Sequence, residues 1–424
     1  MPLDKWRQSQ GAAGEITTNQ VRKGGRDQVN LQATFPGQQE TRRPAVIWRR
    51  LHPRHGLRHA QAVCQALRSR AGECQACRSA CPVEAIQPGS VTLELGDQCL
   101  GCGRCVPACP MGALALPVLP EQPVTGRDAL EIDCRRVPSQ RQGGQTNRIP
   151  CLGALAVADL LELFTRADGR PLRLLDRGWC AACPAGGAGA HPAQAALDTA
   201  RQWLTRMGVP AARQPQLVNA PLNQSRALPA TAEVLGEVVL SRRGFFREIA
   251  RTAQDKSQPP PRQAPAAQVA AQASLARERQ LAAIERVAGM TGQVPPATAW
   301  PRLAVRADRC GNHQGCVRIC PTGALRAYRT AHASGVRFNA AACIACDRCV
   351  EHCPRQALHW TAENRADEPG TIPTLTSHSR RECAGCGAEF SPLPDDTSGA
   401  YCQPCQRSRR LAADAFTQLF GARE

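Results

Sequence analysis

Large aromatic side chains are scarce in this sequence of 424 residues, which contains 8 Phe, 6 Trp and 2 Tyr. A chain of this length suggests two or three domains. So few aromatic residues exclude aromatic-rich cores in all of them, and something else must hold parts of the fold together. No run of 18 apolar residues occurs, so we expect no transmembrane helix.

Several catalytic and nucleotide-binding motifs are also missing. The sequence has no G-x-G-x-x-G after a strand, no G-x4-G-K-[ST] and no Ser/His/Asp set above chance. The glycines of residues 186–189 have the wrong spacing for a dinucleotide fingerprint. We therefore expect neither a flavin nor a nicotinamide site, and we assign any substrate chemistry to a partner protein.

Cysteine, by contrast, is abundant, with 23 residues. A disulfide framework needs an oxidising compartment, whereas metal ligation is typical of a reducing one. The first twenty residues contain no apolar segment like that of a signal peptide, so we expect a cytoplasmic protein with reduced thiols. Metal ligation is the favoured use of these cysteines.

The chain is strongly basic, with 53 Lys and Arg against 35 Asp and Glu and a formal charge of +18. The arginines are spread along the sequence and surround the cysteines, where they can offset the negative charge of metal-bound thiolates. We expect redox partner proteins with acidic surfaces, and we do not expect nucleic acid as the main partner.

Composition and pattern divide the chain into six segments. Two cysteine-rich blocks with the same internal pattern flank a small α/β unit and a linker, which indicates a repeat. The linker is expected to become helical near residues 270–288. The predicted bounds are 1–44 for a basic disordered tail, 45–127 for the first block, 128–240 for the α/β unit, 241–302 for the linker, 303–365 for the second block and 380–424 for a C-terminal cysteine segment with a terminal helix.

A C-x2-C-x2-C-x3-C-P run occurs in each block, at residues 99–110 and 343–354. Three thiolates two residues apart let a tight loop wrap one face of an iron–sulfur cube, and the fourth ligand comes from elsewhere. The proline then turns the chain into the next element. The tail of the motif recurs four times, as CPVEAI, CPMGAL, CPTGAL and CPRQAL, which chance does not explain.

On these motifs each block resembles a bacterial-type two-[4Fe-4S] ferredoxin, that is, a 4Fe-4S dicluster or polyferredoxin-like module. The resemblance implies a compact pseudo-symmetric fold with two cubanes per module, an α+β class for the chain, and one-electron transfer. It also implies ligand sets in which one cysteine crosses over from the partner motif: Cys99, Cys102, Cys105 and Cys81 in the first block, and Cys343, Cys346, Cys349 and Cys320 in the second.

The first motif of the first block, CQACRSACP at residues 74–82, lacks a cysteine at the position of Ala71. Cys64 lies ten residues before Cys74 and can loop in to fill the site. The alternative is a three-iron cluster beside an inert, buried Cys64. We expect the ligand set Cys64, Cys74, Cys77 and Cys109.

The first motif of the second block, CGNHQGCVRICP at residues 310–321, has His313 at the second cysteine position. Neutral imidazole ligates iron, and its exchange for a thiolate raises the reduction potential, as in Rieske centres. The alternative is a three-iron cluster that leaves His313 free. We expect the ligand set Cys310, His313, Cys316 and Cys353.

Four cysteines near the C-terminus have the spacing C-x2-C-x15-C-x2-C, which is typical of a zinc ribbon. Two such knuckles supply four thiolates, which leaves no open position for catalysis. A rubredoxin-like iron site uses similar knuckles and stays an alternative. We expect one structural zinc at Cys383, Cys386, Cys402 and Cys405.

The remaining cysteines all lie in the α/β unit. Cys151 opens a predicted strand-to-helix turn, and a C-x2-C pair follows the strand candidate PLRLLD. Loops at the carboxyl ends of adjacent parallel strands lie close together, so a further four-thiolate site is reasonable. A redox-active C-x2-C pair and plain structural thiols are the alternatives. The four residues are Cys134, Cys151, Cys180 and Cys183.

These motifs supply ligand chemistry without substrate chemistry. We therefore predict an iron–sulfur electron-transfer protein that relays single electrons through about four [4Fe-4S] clusters, as a subunit or accessory of a cytoplasmic redox enzyme complex. One alternative is a redox enzyme subunit that uses the central four cysteines. Another is a redox-sensing nucleic-acid regulator that uses the ribbon and the basic tail.

Overall fold

The structure is a computed structural model, and it describes residues 46–52, 55–68, 74–89, 92–119, 128–137, 147–186, 189–221, 273–362, 372–392 and 399–421. The predicted basic tail lies outside these residues, as do Ala71 and the linker before residue 273. Helices and strands are mixed along the chain, which confirms the α+β class. Among the described residues, no helix is long and apolar enough to cross a membrane.

The first cysteine-rich block folds into short strands and single-turn helices. Two of these helices end just before a Cys-Pro pair, because proline cannot continue a helix. An antiparallel sheet is formed by β1 (Arg49–His52), β2 (His55–His59) and β5 (Leu114–Ala115), and a hairpin by β3 (Ile86–Pro88) and β4 (Leu93–Leu95). The helices are α1 (Gln65–Arg68), α2 (Ala76–Ser79) and α3 (Cys105–Ala108).

The central unit contains a four-stranded parallel sheet with the strand order β7-β6-β8-β9. Its strands read as apolar runs because both faces are covered, and Leu130, Ile132 and Leu174 are fully buried. The strands are β6 (Leu130–Cys134), β7 (Asn147–Ile149), β8 (Leu172–Asp176) and β9 (Gln216–Asn219), and the helices are α4 (Val157–Arg166) and α5 (Gln194–Arg206). The carboxyl ends of these strands meet at one edge of the sheet.

Helix α6 (Leu275–Thr291) connects the central unit to both cysteine-rich blocks. The hydroxyl of Ser274 caps its first turn by accepting from the N–H of Arg277 at 3.0 Å, and the left-handed Gly292 ends it. Ala283, Ile284 and Val287 are buried against helices of the central unit. These end signals explain why the helix begins and ends slightly later than the range 270–288 predicted from the sequence.

The second block repeats the arrangement of short elements, and its sheet is completed by a strand that precedes the C-terminal segment. One strand pair is formed by β10 (Leu303–Val305) and β13 (Leu358–Trp360), and a three-stranded antiparallel sheet by β11 (Leu325–Arg329), β12 (Ala333–Phe338) and β14 (Thr374–Ser379). The block's helices are α7 (Gly315–Ile319) and α8 (Arg348–Glu351). The C-terminal segment contains β15 (Arg381–Glu382), β16 (Glu389–Phe390) and helix α9 (Gln403–Phe420).

Candidate iron–sulfur and metal centres

The Cys102 site consists of Cys81, Cys99, Cys102 and Cys105, which line one cavity in the first block. Burial, followed by the charges of neighbouring thiols, raises the pKa of Cys105 well above its usual value. The backbone N–H of Ala85 donates to the sulfur of Cys81 at 3.2 Å, and that of Gly101 to Cys99 at 3.4 Å. Such N–H groups stabilise thiolates, so the cavity is suited to a multivalent cationic group that replaces the thiol protons.

The Cys77 site consists of Cys64, Cys74, Cys77 and Cys109. Burial raises the pKa of Cys77 to about 12, with further contributions from the thiols of Cys109, Cys64 and Cys74. Cys64 is only 7% exposed, and burial raises its pKa to about 11 against the effect of backbone N–H groups. The structure therefore brings Cys64 to the three thiols with which the sequence grouped it.

The Cys349 site consists of Cys320, Cys343, Cys346 and Cys349. Burial raises the pKa of Cys349 to about 12, and the other three thiols of the site add to this effect. The N–H of Ala345, which lies in the left-handed region at φ 50°, donates to the sulfur of Cys343 at 3.4 Å. This loop geometry turns backbone donors toward the sulfurs, as a thiolate cluster requires.

The Cys316 site consists of Cys310, Cys316 and Cys353, with His313 on the same cavity wall. Burial and then the charge of Cys310 raise the pKa of Cys316 to about 11. The exposed His313 ring lies with its Nε2 3.1 Å from the amide Nε2 of Gln403. An amide nitrogen can only donate, so the imidazole lone pair points at helix α9 in this arrangement.

Within each block, thiols of one site also interact electrostatically with thiols of the neighbouring site. The thiol of Cys77 contributes to the raised pKa of Cys105, after burial and the nearer thiols Cys102 and Cys99. In the second block the thiol of Cys316 contributes in the same way to the raised pKa of Cys349. Each block therefore contains a pair of adjacent sites.

The two blocks touch each other through the second complete motif. Ile344, which stands between Cys343 and Cys346, packs against the hydrophobic core of the first block, to which the thiols of the Cys77 site also belong. Helix α6 reinforces this contact, since the Ser274 hydroxyl donates to the Pro110 carbonyl at 2.6 Å and the Arg277 guanidinium donates to the Ala341 carbonyl at 3.2 Å.

The four C-terminal cysteines bring their sulfur atoms to within 4.8 Å of one another. The sulfurs of Cys386 and Cys402 are 3.7 Å apart, and a tetrahedral ion with bonds of about 2.3 Å requires roughly 3.8 Å. The Cys402 N–H donates to the sulfur of Cys383 at 3.2 Å and lowers the pKa of that thiol to about 6. The group is arranged to hold a single metal ion.

The four cysteines of the α/β unit also converge, at the carboxyl edge of its parallel sheet. Cys134 ends β6 and shares a hydrogen bond with Cys151, which lowers the pKa of Cys134 to about 7. Burial raises the pKa of Cys180 to about 11, with contributions from Asp176, Cys134 and Cys183. We refer to Cys134, Cys151, Cys180 and Cys183 as the central cysteines.

Three polar residues around the central cysteines were not identified from the sequence. The Nε2 of His191 lies 3.5 Å from the sulfur of Cys180, and Asp176 completes a group whose ligand atoms lie within 4.8 Å of one another. Arg104, from the loop of the Cys102 site, donates to the carbonyls of Ala185 and Gly186 at 2.8 and 3.1 Å. No motif includes these residues, because tertiary packing alone brings them together.

Replacement of Arg104 by alanine should loosen the loop that carries Cys180 and Cys183. Hydrogen bonds from a charged donor contribute about 1.5–3 kcal/mol, so amide hydrogen exchange of residues 180–186 should become at least about tenfold faster. The exposed Arg78, which follows Cys77 in the first motif, provides the control Arg78→Ala. Unchanged exchange in Arg104→Ala would show that the guanidinium does not hold this loop.

Comparison with known families supports iron–sulfur binding in both blocks. The LdpA Fe-S cluster-binding domain family matches residues 72–116, and the 4Fe-4S binding domain family matches residues 336–359. The first match contains Cys74 and Cys77 and the complete motif of the first block, and the second match contains the complete motif of the second block. The comparison with curated proteins gives no match. The chain therefore contains iron–sulfur binding domains of two described families, one in each cysteine-rich block.

Proposed function

We propose that this protein is an electron carrier whose four ferredoxin-type sites form one relay, in the order Cys316 site, Cys349 site, Cys77 site and Cys102 site. An iron–sulfur cluster, when bound, takes up and releases single electrons. The observation that carries the proposal is that consecutive sites in this order share a hydrophobic core at every step. Cys316 and Cys349 both pack against the core of the second block, and Cys77 and Cys105 belong to the core of the first block.

The step between the blocks depends on the Ile344 contact. Its side chain belongs to the ligand loop of the Cys349 site and packs into the core that surrounds the Cys77 site. Gly112, which follows Cys109 closely, is in the left-handed region at φ 66°, and a Cβ there would come within 2.5 Å of the Ala276 nitrogen. This close approach leaves no room for a layer of water between the first block and α6, whose Arg277 bonds to the second block, and it supports transfer through protein.

Buried cations beside the sulfurs support bound clusters, because thiolate-ligated clusters carry net negative charge. Arg277 is buried and interacts with Cys343, while Arg104 and Arg136 interact with Cys102. Arg355 interacts with Cys310. Opposite charges that interact with the ligand sulfurs offset the burial cost of an anionic cluster and favour its reduced state.

The redox partner in this proposal is a protein with an acidic surface, because the chain carries a formal charge of +18. All 23 cysteines are free thiols in the structure, as metal ligation in the cytoplasm requires. The relay then serves as a subunit or accessory of a larger redox complex, in which the substrate chemistry belongs to the partner.

A structural zinc ion in the C-terminal ribbon completes the proposal. The ribbon contacts the loop of the Cys316 site twice, through Gln403 on His313 and through the Ser391 hydroxyl, which accepts from the Asn312 amide at 2.9 Å. Zinc at the ribbon would hold these contacts in place and so fix one end of the relay.

Anaerobic metal analysis with electron paramagnetic resonance (EPR) tests the relay. The four ferredoxin-type sites should contribute about 16 Fe and 16 sulfide per chain, about one Fe fewer for each three-iron cluster, and the ribbon about one Zn. Dithionite-reduced protein should give spin-coupled signals because the sites are adjacent. Little iron together with several zinc ions per chain would contradict the proposal.

Exchange of Cys64 for serine tests the one ligand of the Cys77 site that lies outside the motif spacing. If Cys64 is a ligand, Cys64→Ser and the matched variant Cys74→Ser should behave alike, each losing between about one and four Fe per chain. An oxidised three-iron signal in both variants, measured by EPR, would support the assignment. Loss of iron in Cys74→Ser alone would show that Cys64 is only a buried thiol.

His313 can ligate iron through Nε2 only after this nitrogen parts from Gln403, so the two residues should be tested together. Gln403→Ala frees the imidazole and should increase the four-iron form of the Cys316 site at the expense of an oxidised three-iron EPR signal. His313→Ala should have the opposite effect, and His313→Cys should give the complete four-iron form. Identical spectra for wild type, Gln403→Ala and His313→Ala would contradict ligation by His313.

A further inference from the structure

The central cysteines together form a thiol pocket that packs beside the Cys102 site. Cys151 is 4% exposed and belongs to one small buried cluster with Cys102 and Ala185, against which Cys183 packs. The charge of Cys102 contributes to the raised pKa of Cys151, after its hydrogen bond to Cys134 and its burial. The two groups of thiols therefore adjoin each other without an intervening element.

The spacing of the central thiols is too wide for one tetrahedral ion. A single ion bound to four sulfurs requires them to lie roughly 3.8 Å apart, as in the ribbon. Among the described residues, the groups of three or more ligand atoms mutually within 4.8 Å are the ribbon cysteines and the trio of Asp176, Cys180 and His191. Cys134 and Cys151 are hydrogen-bonded to each other, yet no three of the central sulfurs lie mutually within this distance, so the four thiols fit a cluster of two or more irons better than a single ion.

His191 is placed to donate to the pocket rather than to bind a metal. Its Nδ1 accepts from the N–H of Ala193 at 3.2 Å, so the proton of the neutral ring is assigned to Nε2. That Nε2–H lies 3.5 Å from the sulfur of Cys180. Hydrogen bonds to ligand sulfurs are a main means by which proteins set the potential of iron–sulfur clusters.

The backbone of the pocket is fixed on both sides. A Cβ on Gly186 would come within 1.8 Å of the Cys180 carbonyl oxygen, so the loop closes tightly on itself after the C-x2-C pair. Arg104 joins this loop to the ligand loop of the Cys102 site through its bonds to Ala185 and Gly186. A Cβ on Gly103, at φ 79°, would come within 3.1 Å of the Ala154 Cβ. The ligand loop of the Cys102 site is therefore packed directly against the C-x2-C loop and against the turn that follows Cys151.

We propose that Cys134, Cys151, Cys180 and Cys183 bind a fifth iron–sulfur cluster, which is the end of the relay next to the Cys102 site. This inference rests on the proposed function, since its electrons come from the cluster at the Cys102 site. In each step that cluster is oxidised by one electron and the central cluster is reduced by one, with no bond made or broken. His191 acts as a positioning residue that stabilises the reduced form through Cys180.

The test uses the full-length protein, purified anaerobically, with the variants Cys151→Ser and Cys180→Ser. The wild type should contain between about two and four Fe more than the four ferredoxin-type sites account for, and each variant should lose about that amount. Signals from the other clusters should persist in the EPR spectra. A wild-type protein with almost no iron would instead contradict the relay itself. Failure of the central cluster and failure of the relay are therefore distinguishable.

A second pair of variants tests the central cluster even where a cysteine variant does not fold. His191→Phe removes the donor to Cys180, and the exposed His332 provides the control His332→Phe. In an EPR-monitored redox titration, His191→Phe should lower the midpoint potential of one signal and leave the others unchanged, whereas His332→Phe should change none. Wild-type iron near 16 with no shift in His191→Phe would overturn the proposal.

Discussion

The packing of thiols in groups, with their sulfurs facing one another inside the protein, is the constraint on which the rest of this structure depends. Burial raises the pKa of Cys77 and Cys349 to about 12, and neighbouring thiols oppose ionisation further. A metal cluster removes this conflict by replacing the protons with positive charge, so metal binding and folding are coupled. The cores of both blocks then need few large side chains. This fits a chain that contains only 8 Phe, 6 Trp and 2 Tyr.

The second constraint is the contact between the blocks, which are separated by nearly two hundred residues of sequence. Helix α6 links them at its first turn, where Ser274 bonds to one block and Arg277 to the other. Farther along, Arg279 pairs with the buried carboxylate of Asp159 at 2.5 Å and fixes the helix to the central unit. A segment that reads as a linker in the sequence therefore sets the order of the metal sites.

Local motifs could be predicted from the sequence because their geometry is local. The two complete cysteine runs, the ribbon knuckles and the helices α4 and α5 follow from spacing and apolar periodicity. The convergence of the central cysteines could also be predicted, since parallel strands bring their carboxyl ends to one edge. The proximity of Cys64 to Cys74 could be predicted because Cys64 lies only ten residues before Cys74 in the sequence.

Contacts between distant segments could not be predicted in this way. Nothing in the sequence around Ile344, Arg104 or His191 distinguishes them from ordinary core and surface residues, because each acquires its role from an element far away in the chain. The pairing of Gln403 with His313 is of the same kind. These four contacts lie between or beside the cysteine sites, so the proposed relay depends on the tertiary structure.

Anomalous-difference maps from anaerobically grown crystals, recorded at the iron and zinc absorption edges, would test the relay most directly. The account predicts a continuous row of iron peaks through the Cys316, Cys349, Cys77 and Cys102 sites to the central cysteines, with zinc only at the ribbon. Absence of iron from the Cys349 or Cys77 site, or zinc in their place, would break the row between the two blocks and contradict the account.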